Sequence, residues 1–229
     1  MAVTACTSDT TVVPLAKLQA SFYLLPSSGP ATGNHAVGLN VAPGAEGDPC
    51  PVLPGGSTIT LDGTPGDVDL GGAESPHGTV NCYGPSAIWP NPPARSGPST
   101  IVIDDGDTTW TFIIDQPFAR RSFSLVTPQG GTLRTGDAVT LRVEPASGTL
   151  STARVFASTG VTQYFLVDQT SGVVIAGHEI HFTVPTVGAA TTSLTTAADL
   201  ELTVERCDAP LGCNVKAVIS SMQPIVLAP

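Results

Sequence analysis

Glycine and proline interrupt this chain so often that few segments are long enough to form a helix. Together the 24 glycines and 21 prolines make up roughly a fifth of the 229 residues. Between them lie short segments rich in threonine, serine and valine, in which apolar and polar residues alternate. Because side chains alternate between the two faces of a strand, this pattern predicts many short strands joined by turns. We therefore predict an all-β fold.

The clearest strand pair is a hairpin in the segment STIVIDDGDTTWTFIID, residues 99–115. Apolar residues alternate on both sides of an Asp-Gly turn, as a hairpin requires. Asp104, Asp105 and Asp107 lie together in this turn, and calcium prefers several carboxylate oxygens in a flexible loop. The alternative is an ordinary hairpin turn, which favours Asp-Gly in any case. Calcium is the only cofactor for which the sequence offers a candidate site.

A change of pattern near Pro117–Arg121 divides the chain into two predicted domains. Residues 1–14 are typical of a flexible tether, and residues 15–117 predict a loop-rich β-sandwich. Within that first domain, residues 84–98 contain five prolines and are predicted not to form a paired strand, because proline cannot donate to a ladder. Residues 118–229 form the second predicted domain.

The second domain begins with FSLVTPQGGTLRTGDAVTLRVEP, in which two strand-like segments surround glycine turns. This pattern resembles the start of bacterial immunoglobulin-like domains. About seven strand-like segments lie in residues 121–229, the number expected for such a β-sandwich. The resemblance implies two packed sheets, with Val139, Leu141 and Val143 facing the core. The Cys…Trp…Cys spacing of antibody domains is not present in the sequence.

Four of the five cysteines are predicted to form disulfide bonds. Cys207 and Cys213 bracket a Pro/Gly loop between two strand-like segments, which places them opposite each other. Cys50 and Cys82 lie in the loop-rich first domain and form the second pair. Buried free thiols are the alternative. Two disulfide bonds indicate an oxidising compartment, and therefore an exported protein.

The fifth cysteine, Cys6, follows Val3, Thr4 and Ala5. This sequence resembles a bacterial lipobox, in which the cysteine is lipidated and becomes the mature N-terminus. The basic and apolar segments that precede a lipobox do not stand before it here, and a chance match is the alternative. The resemblance implies a lipoprotein of the outer membrane or facing the periplasm, attached to the membrane only through its lipid. An extracellular protein is the other expectation.

Trp89 lies in the proline-rich stretch, with Tyr83 close to it in sequence. On a loop of a rigid sandwich, exposed aromatic rings offer a stacking surface for a sugar or a partner protein. Both residues are therefore candidate binding residues. The alternative for Trp89 is a side chain folded over one end of the core.

No motif in the sequence indicates a reaction. The nine basic residues form no patch, which argues against nucleic acid as a partner. His178 and His181 are spaced three apart on an alternating segment, so they point to opposite faces and cannot easily share a metal. We expect a non-enzymatic cell-envelope or secreted protein that binds a protein or glycan or acts as a structural module. The alternative is a glycan-directed hydrolase whose catalytic carboxylates lie far apart in sequence.

Overall fold

The structure, a computed structural model, consists almost entirely of β-strands. It describes residues 9–25, 34–42, 48–74, 81–90, 96–119, 121–128, 133–159, 162–188 and 191–224. Cys6 and the lipobox-like sequence lie outside the described residues. A three-residue 3-10 helix occurs at Leu15–Lys17. In the part of the chain that is described, no helix is long and apolar enough to cross a membrane. The predicted all-β fold class is confirmed.

The strands are numbered in chain order. The first twelve are β1 (Thr10–Val12), β2 (Ala20–Leu25), β3 (Asn34–Val41), β4 (Cys50–Val52), β5 (Thr58–Leu61), β6 (Thr64–Pro65), β7 (Asp67–Asp69), β8 (Gly72–Glu74), β9 (Asn81–Tyr83), β10 (Ser86–Pro90), β11 (Ser99–Asp104) and β12 (Thr109–Ile114). The others are β13 (Ser122–Thr127), β14 (Ala138–Glu144), β15 (Thr149–Ser158), β16 (Gln163–Asp168), β17 (Val174–Ala176), β18 (Glu179–Thr183), β19 (Ser193–Glu201), β20 (Val204–Cys207) and β21 (Cys213–Pro224).

These strands form two compact units. The first unit contains residues 1–117 together with residues 203–215, and the second contains residues 118–202 and 216–229. The sequence-based division placed residues 203–215 with the second domain. In the structure, the chain returns to the first unit for β20 and the beginning of β21, and the rest of β21 belongs to the second unit.

The two units differ sharply in charge. The first unit contains thirteen acidic and three basic residues, which gives a net charge of −10. The second unit contains six of each sign and is therefore neutral. The whole net charge of the protein thus belongs to the first unit.

The first unit is a sandwich of two sheets. One sheet has the order β7, β10, β3, β2 and the beginning of β21, and the other has the order β6, β5, β11, β12 and β20. Phe22 of β2 stacks on Phe112 of β12, with ring centroids 4.1 Å apart and planes inclined by 15°. Both rings are fully buried. This stack lies at the centre of the apolar core between the sheets, because each strand buries every second side chain.

Strand β10 corrects the prediction made for the proline-rich residues 84–98. Ser86–Pro90 pairs with β3 on one side and with β7 on the other. The prediction was wrong because the prolines lie at the ends of this strand. Pro85 precedes it and Pro90 is its last residue, so residues 86–89 keep the N–H groups that a ladder needs.

Residues 203–215 supply one strand to each sheet of the first unit. Strand β20 pairs antiparallel with β12, and residues 213–215 pair parallel with β2. The connecting turn is also fixed, since the N–H of Phe22 donates to the carbonyl oxygen of Gly212 at 3.0 Å. The predicted Cys207–Cys213 disulfide is present, with the two Cα atoms 6.0 Å apart. It joins the two strands at this turn and thereby links the two sheets.

The second unit has the strand order of an immunoglobulin-like sandwich. One sheet has the order β13, β14, β18 and β17, and the other has the order β16, β15, β19 and β21. Lettered along the chain from β13, the strands are A, B, C, C′, D, E, F and G, where G is β21. Within the sheets their spatial orders are A, B, E, D and C′, C, F, G. This is the constant-type arrangement with one added strand. Val139, Leu141 and Val143 are buried, as predicted. The prediction of an immunoglobulin-like fold for this half of the chain is confirmed.

A fragment of residues 1–117 lacks both strands that residues 203–215 supply. We expect this fragment to lose cooperative unfolding, because β2 and β12 would each expose an open edge. Trp89 and Trp110, the two tryptophans of the chain, both belong to this unit, so urea unfolding followed by tryptophan fluorescence reports on it alone. A fragment with residues 203–215 attached through a flexible linker should regain the cooperative transition. Equal urea midpoints for residues 1–117 and the whole chain would contradict this account.

Candidate functional site

Trp89 does not offer a stacking surface, contrary to the candidate role assigned from sequence. Its side chain is only 4% exposed, because Trp89 occupies an inward-facing position of β10. The indole N–H donates to the carbonyl oxygen of Thr64 at 3.0 Å. The ring also covers Gly66, where an added Cβ would lie 2.8 Å from the ring carbon Cζ2. Trp89 is therefore a core residue of the first unit.

Tyr83 is more accessible and lies on the short hairpin of β8 and β9. It pairs with Gly72 across the hairpin, and its ring lies over that glycine, whose added Cβ would be 2.8 Å from the phenol oxygen. The side chain is 36% exposed. The neighbouring Cys82 forms the predicted disulfide with Cys50, with Cα atoms 5.2 Å apart. A binding role for Tyr83 stays a prediction, because no contact in the structure tests it.

The Asp104–Asp107 turn uses its carboxylates to hold the backbone. Asp105 accepts hydrogen bonds from the N–H groups of Leu15 at 2.6 Å, Thr108 at 2.8 Å and Asp107 at 3.1 Å. Burial opposes ionisation of Asp105, but these hydrogen bonds outweigh it and lower the pKa of the carboxyl below its ordinary value. No group of three or more potential ligand side chains comes together to hold a metal in the described part of the chain. Calcium binding at this turn stays a prediction from sequence.

His181, Glu179, Arg142 and Thr140 form a polar network on the second unit. Glu179 lies on the outer face of β18, and its carboxylate accepts from Arg142 at 2.6 Å. His181 lies on the same face, with its Nε2 atom 3.4 Å from Glu179 and its Nδ1 atom 3.1 Å from the hydroxyl of Thr140. His178 lies in the turn before β18, apart from this network. Paired polar side chains thus cover part of the outer face of this sheet, on which Val174 is also exposed.

The carboxyl groups with shifted pKa values are all held ionised. The pKa of Asp208 is lowered, chiefly because Arg206 donates to its carboxylate, at distances of 2.9 and 3.1 Å. The pKa of Asp168 is lowered chiefly by the hydroxyl of Thr170. The general acid of a glycoside hydrolase needs a raised pKa instead. Asp105, Asp168 and Asp208 therefore do not supply the acid of a glycan-directed hydrolase.

An exposed apolar row crosses the outer face of the sheet formed by β16, β15, β19 and β21. Phe165 lies opposite Phe156, Phe156 opposite Thr195, and Thr195 opposite Met222. We call these four residues the apolar row. Phe165 is 51% exposed and Met222 62% exposed, while Thr195 is buried between its neighbours. Phe156 and Phe165 contact each other edge to face, with ring centroids 6.0 Å apart.

Sequence reasoning missed the apolar row because it is assembled from four separate strands. Phe156 and Phe165 are nine residues apart, but Met222 is supplied by the last strand of the chain. Only the cross-strand register brings these side chains into line. One signal was present in the sequence. In β16 the run Phe165–Val167 is apolar and follows Tyr164, whereas strands with one solvated face normally alternate apolar and polar residues.

Comparison with known proteins adds no identification. No protein-family model and no curated protein sequence matches this chain. Among solved structures it is similar to titin A168–169, with 7% identity, a TM-score of 0.24, and coverage of 93% of this chain and 98% of that one. A chimeric titin Z1Z2 carrying a decorin peptide gives 13% identity, a TM-score of 0.25 and the same coverage. Salmonella alpha-2-macroglobulin gives 16% identity and a TM-score of 0.26, over 90% of this chain and 15% of that one. At these scores the likeness carries no argument, and the fold assignment rests on the strand order.

Replacing Asp105 with alanine should destabilise the first unit. The substitution removes the acceptor for three backbone N–H groups, and we expect a loss of about 1 kcal/mol in the free energy of unfolding at neutral pH. Because the pKa of Asp105 is lower in the folded state, its contribution is complete above the ordinary aspartate pKa. It disappears as the pH falls through the folded-state value. Urea unfolding at several pH values, followed by tryptophan fluorescence, measures this difference.

Asp107→Ala is the matched control for Asp105→Ala. Asp107 lies in the same turn and is exposed, and no hydrogen bond to its carboxylate is present among the described residues. We expect its replacement to change the free energy of unfolding by less than about 0.5 kcal/mol. Equal losses for the two variants, or a loss for Asp105→Ala that persists unchanged in acid, would contradict the role assigned to Asp105.

Proposed function

We propose that this chain is an exported, non-enzymatic binding module of the cell envelope or the extracellular medium. The observation that carries the proposal is the pair of disulfide bonds in the first unit. Such bonds form and persist in oxidising compartments and are rare in the cytosol. Attachment through a lipid on Cys6 belongs to the same proposal and is supported by the lipobox-like sequence before it.

The Cys50–Cys82 disulfide supports an exported protein for a further reason. It joins β4 to β9, two strands of three residues each. β4 pairs with β1 and β9 pairs with β8, so each belongs to a sheet of only two strands. A two-stranded ladder is marginally stable by itself in water. The covalent bond therefore holds together a part of the unit that hydrogen bonds alone hold weakly.

The binding surface we assign to the module is the apolar row. Contiguous exposed apolar patches larger than a few hundred Å² are rare on monomeric soluble proteins and commonly mark interaction sites. The outer face of the other sheet in the same unit carries a polar network, in which Glu179 pairs with Arg142 and with His181, beside the exposed Val174. This contrast between two sheets of one sandwich supports the apolar row as the contact surface and favours a protein as the partner.

Thiol trapping in the organism that produces the protein tests this proposal. Cells are lysed in acid, free thiols are blocked with a maleimide, and the protein is digested and analysed by mass spectrometry. We expect Cys50, Cys82, Cys207 and Cys213 to resist labelling until a reductant is added. We expect Cys6 to carry the mass of a diacylglyceryl group.

The same chain produced in a reducing cytosol is the control, and its four paired cysteines should be labelled without reductant. Labelling of these cysteines in the natural producer without reductant would contradict export. An unmodified Cys6 with the other four cysteines oxidised would instead favour a secreted protein over a lipoprotein.

A further inference from the structure

We propose that the outer face of the β16, β15, β19 and β21 sheet binds a second copy of this chain, forming a two-fold symmetric dimer. This proposal rests on the proposed function as a binding module and names the partner of that surface. The occupant is a folded second unit, presenting the same face. Three properties of the face support this partner: its apolar content, its charge and its size.

Three large apolar side chains are exposed on this one face. Phe165 and Met222 are two of them. The third is Val218, which lies on the same side of β21 as Met222 and is 45% exposed. In a two-fold interface each residue occurs twice, so one apolar row can cover another. Aromatic residues and methionine are the side chains enriched at the centres of protein interfaces. The exposed apolar side chains of the face are therefore of the types found at interface centres.

The overall charge of the second unit permits self-association. Two first units that approach each other each carry a net charge of −10, whereas each second unit is neutral. Repulsion between like net charges keeps proteins apart, and it acts on one unit but not on the other. Net charge therefore opposes contact between two first units and does not oppose contact between two second units.

Individual charges on the face are also complementary to themselves. Arg154 of β15 is exposed on the outer side, and Asp199 lies on the same side of β19. Neither forms an ion pair within 4.0 Å among the described residues, whereas the nearby Lys216 is 3.7 Å from Glu201. In a two-fold dimer the Arg154 of each copy can pair with the Asp199 of the other. The same contact is then made twice.

The size of the face suits a reversible dimer. Its two central strands have ten and nine residues. Four strands at about 4.8 Å spacing and nine residues at about 3.4 Å span roughly 20 by 30 Å. Stable interfaces bury about 800 Å² of accessible surface on each partner, a value that a rough face of this footprint approaches. Interfaces at or below this size are typical of reversible association, and because area does not fix affinity the dissociation constant is the quantity to be measured.

Sedimentation equilibrium of the whole chain from about 1 to 200 µM measures the dimer. We expect the natural protein to dimerise, and Phe165→Glu with Met222→Glu to be monomeric throughout this range. The control is Val174→Glu, which places a single such charge on a 59% exposed position of β17, in the other sheet of the same unit, and it is compared with Phe165→Glu and Met222→Glu made singly as well as together. This control should dimerise as the natural protein does. Circular dichroism confirms that each variant is folded.

Charge reversal tests the proposed contact without disturbing the apolar row. Arg154→Asp and Asp199→Arg should each raise the dissociation constant about tenfold, because like charges then meet twice across the axis. The double variant Arg154→Asp/Asp199→Arg should return it to within about threefold of the natural value. A purely structural effect of either substitution would not be rescued by the other.

The proposal is overturned if the natural protein stays monomeric at 200 µM, if Val174→Glu and the apolar-row variant dissociate equally, or if the double reversal does not recover binding. A monomeric chain whose four cysteines are oxidised in the producing cells would remove the second copy as partner and leave the exported module intact. Reduced cysteines in those cells would remove the proposed function, whatever the oligomeric state.

Discussion

The first unit is completed by strands that lie more than 85 residues beyond the rest of it in sequence. Residues 203–215 add β20 to one sheet and the beginning of β21 to the other, and the Cys207–Cys213 disulfide closes the turn between them. Without this segment β12 and β2 would both be edge strands. These are the strands that carry Phe112 and Phe22, the stacked pair at the centre of the core. The packing of the first unit therefore depends on a segment that follows the second unit's F strand.

The same arrangement explains why the second unit is interrupted in sequence. Its F strand is β19 and its G strand is β21, and residues 203–215 stand where an immunoglobulin-like domain has its F–G loop. Here this connection forms β20 and the beginning of β21, two strands of the first unit. The second unit still closes its own sheet, because residues 216–224 pair with β19. The loop of one unit is therefore a structural element of the other.

Local patterns in the sequence were sufficient for many of the strands and for both disulfide pairs. The hairpin of β11 and β12, and the buried Val139, Leu141 and Val143, follow from period-two alternation and an Asp-Gly turn. Two features depended on long-range pairing and were out of reach: the place of residues 203–215 and the alignment of Phe165 with Met222. The burial of Trp89 agrees with the alternative that the sequence offered, although its partners Thr64 and Gly66 are known only from the structure. The number of prolines in residues 84–98 led to the wrong prediction for β10, because the positions of prolines within a strand matter more than their number.

If residues 203–215 complete the first unit, they unfold together with that unit. Native-state hydrogen exchange in increasing urea, read by mass spectrometry, gives the opening free energy of each strand. We predict that β20 and residues 213–215 exchange with the same urea dependence as β12 of the first unit. Exchange of these residues together with β19, independently of β12, would contradict the claim that they complete the first unit.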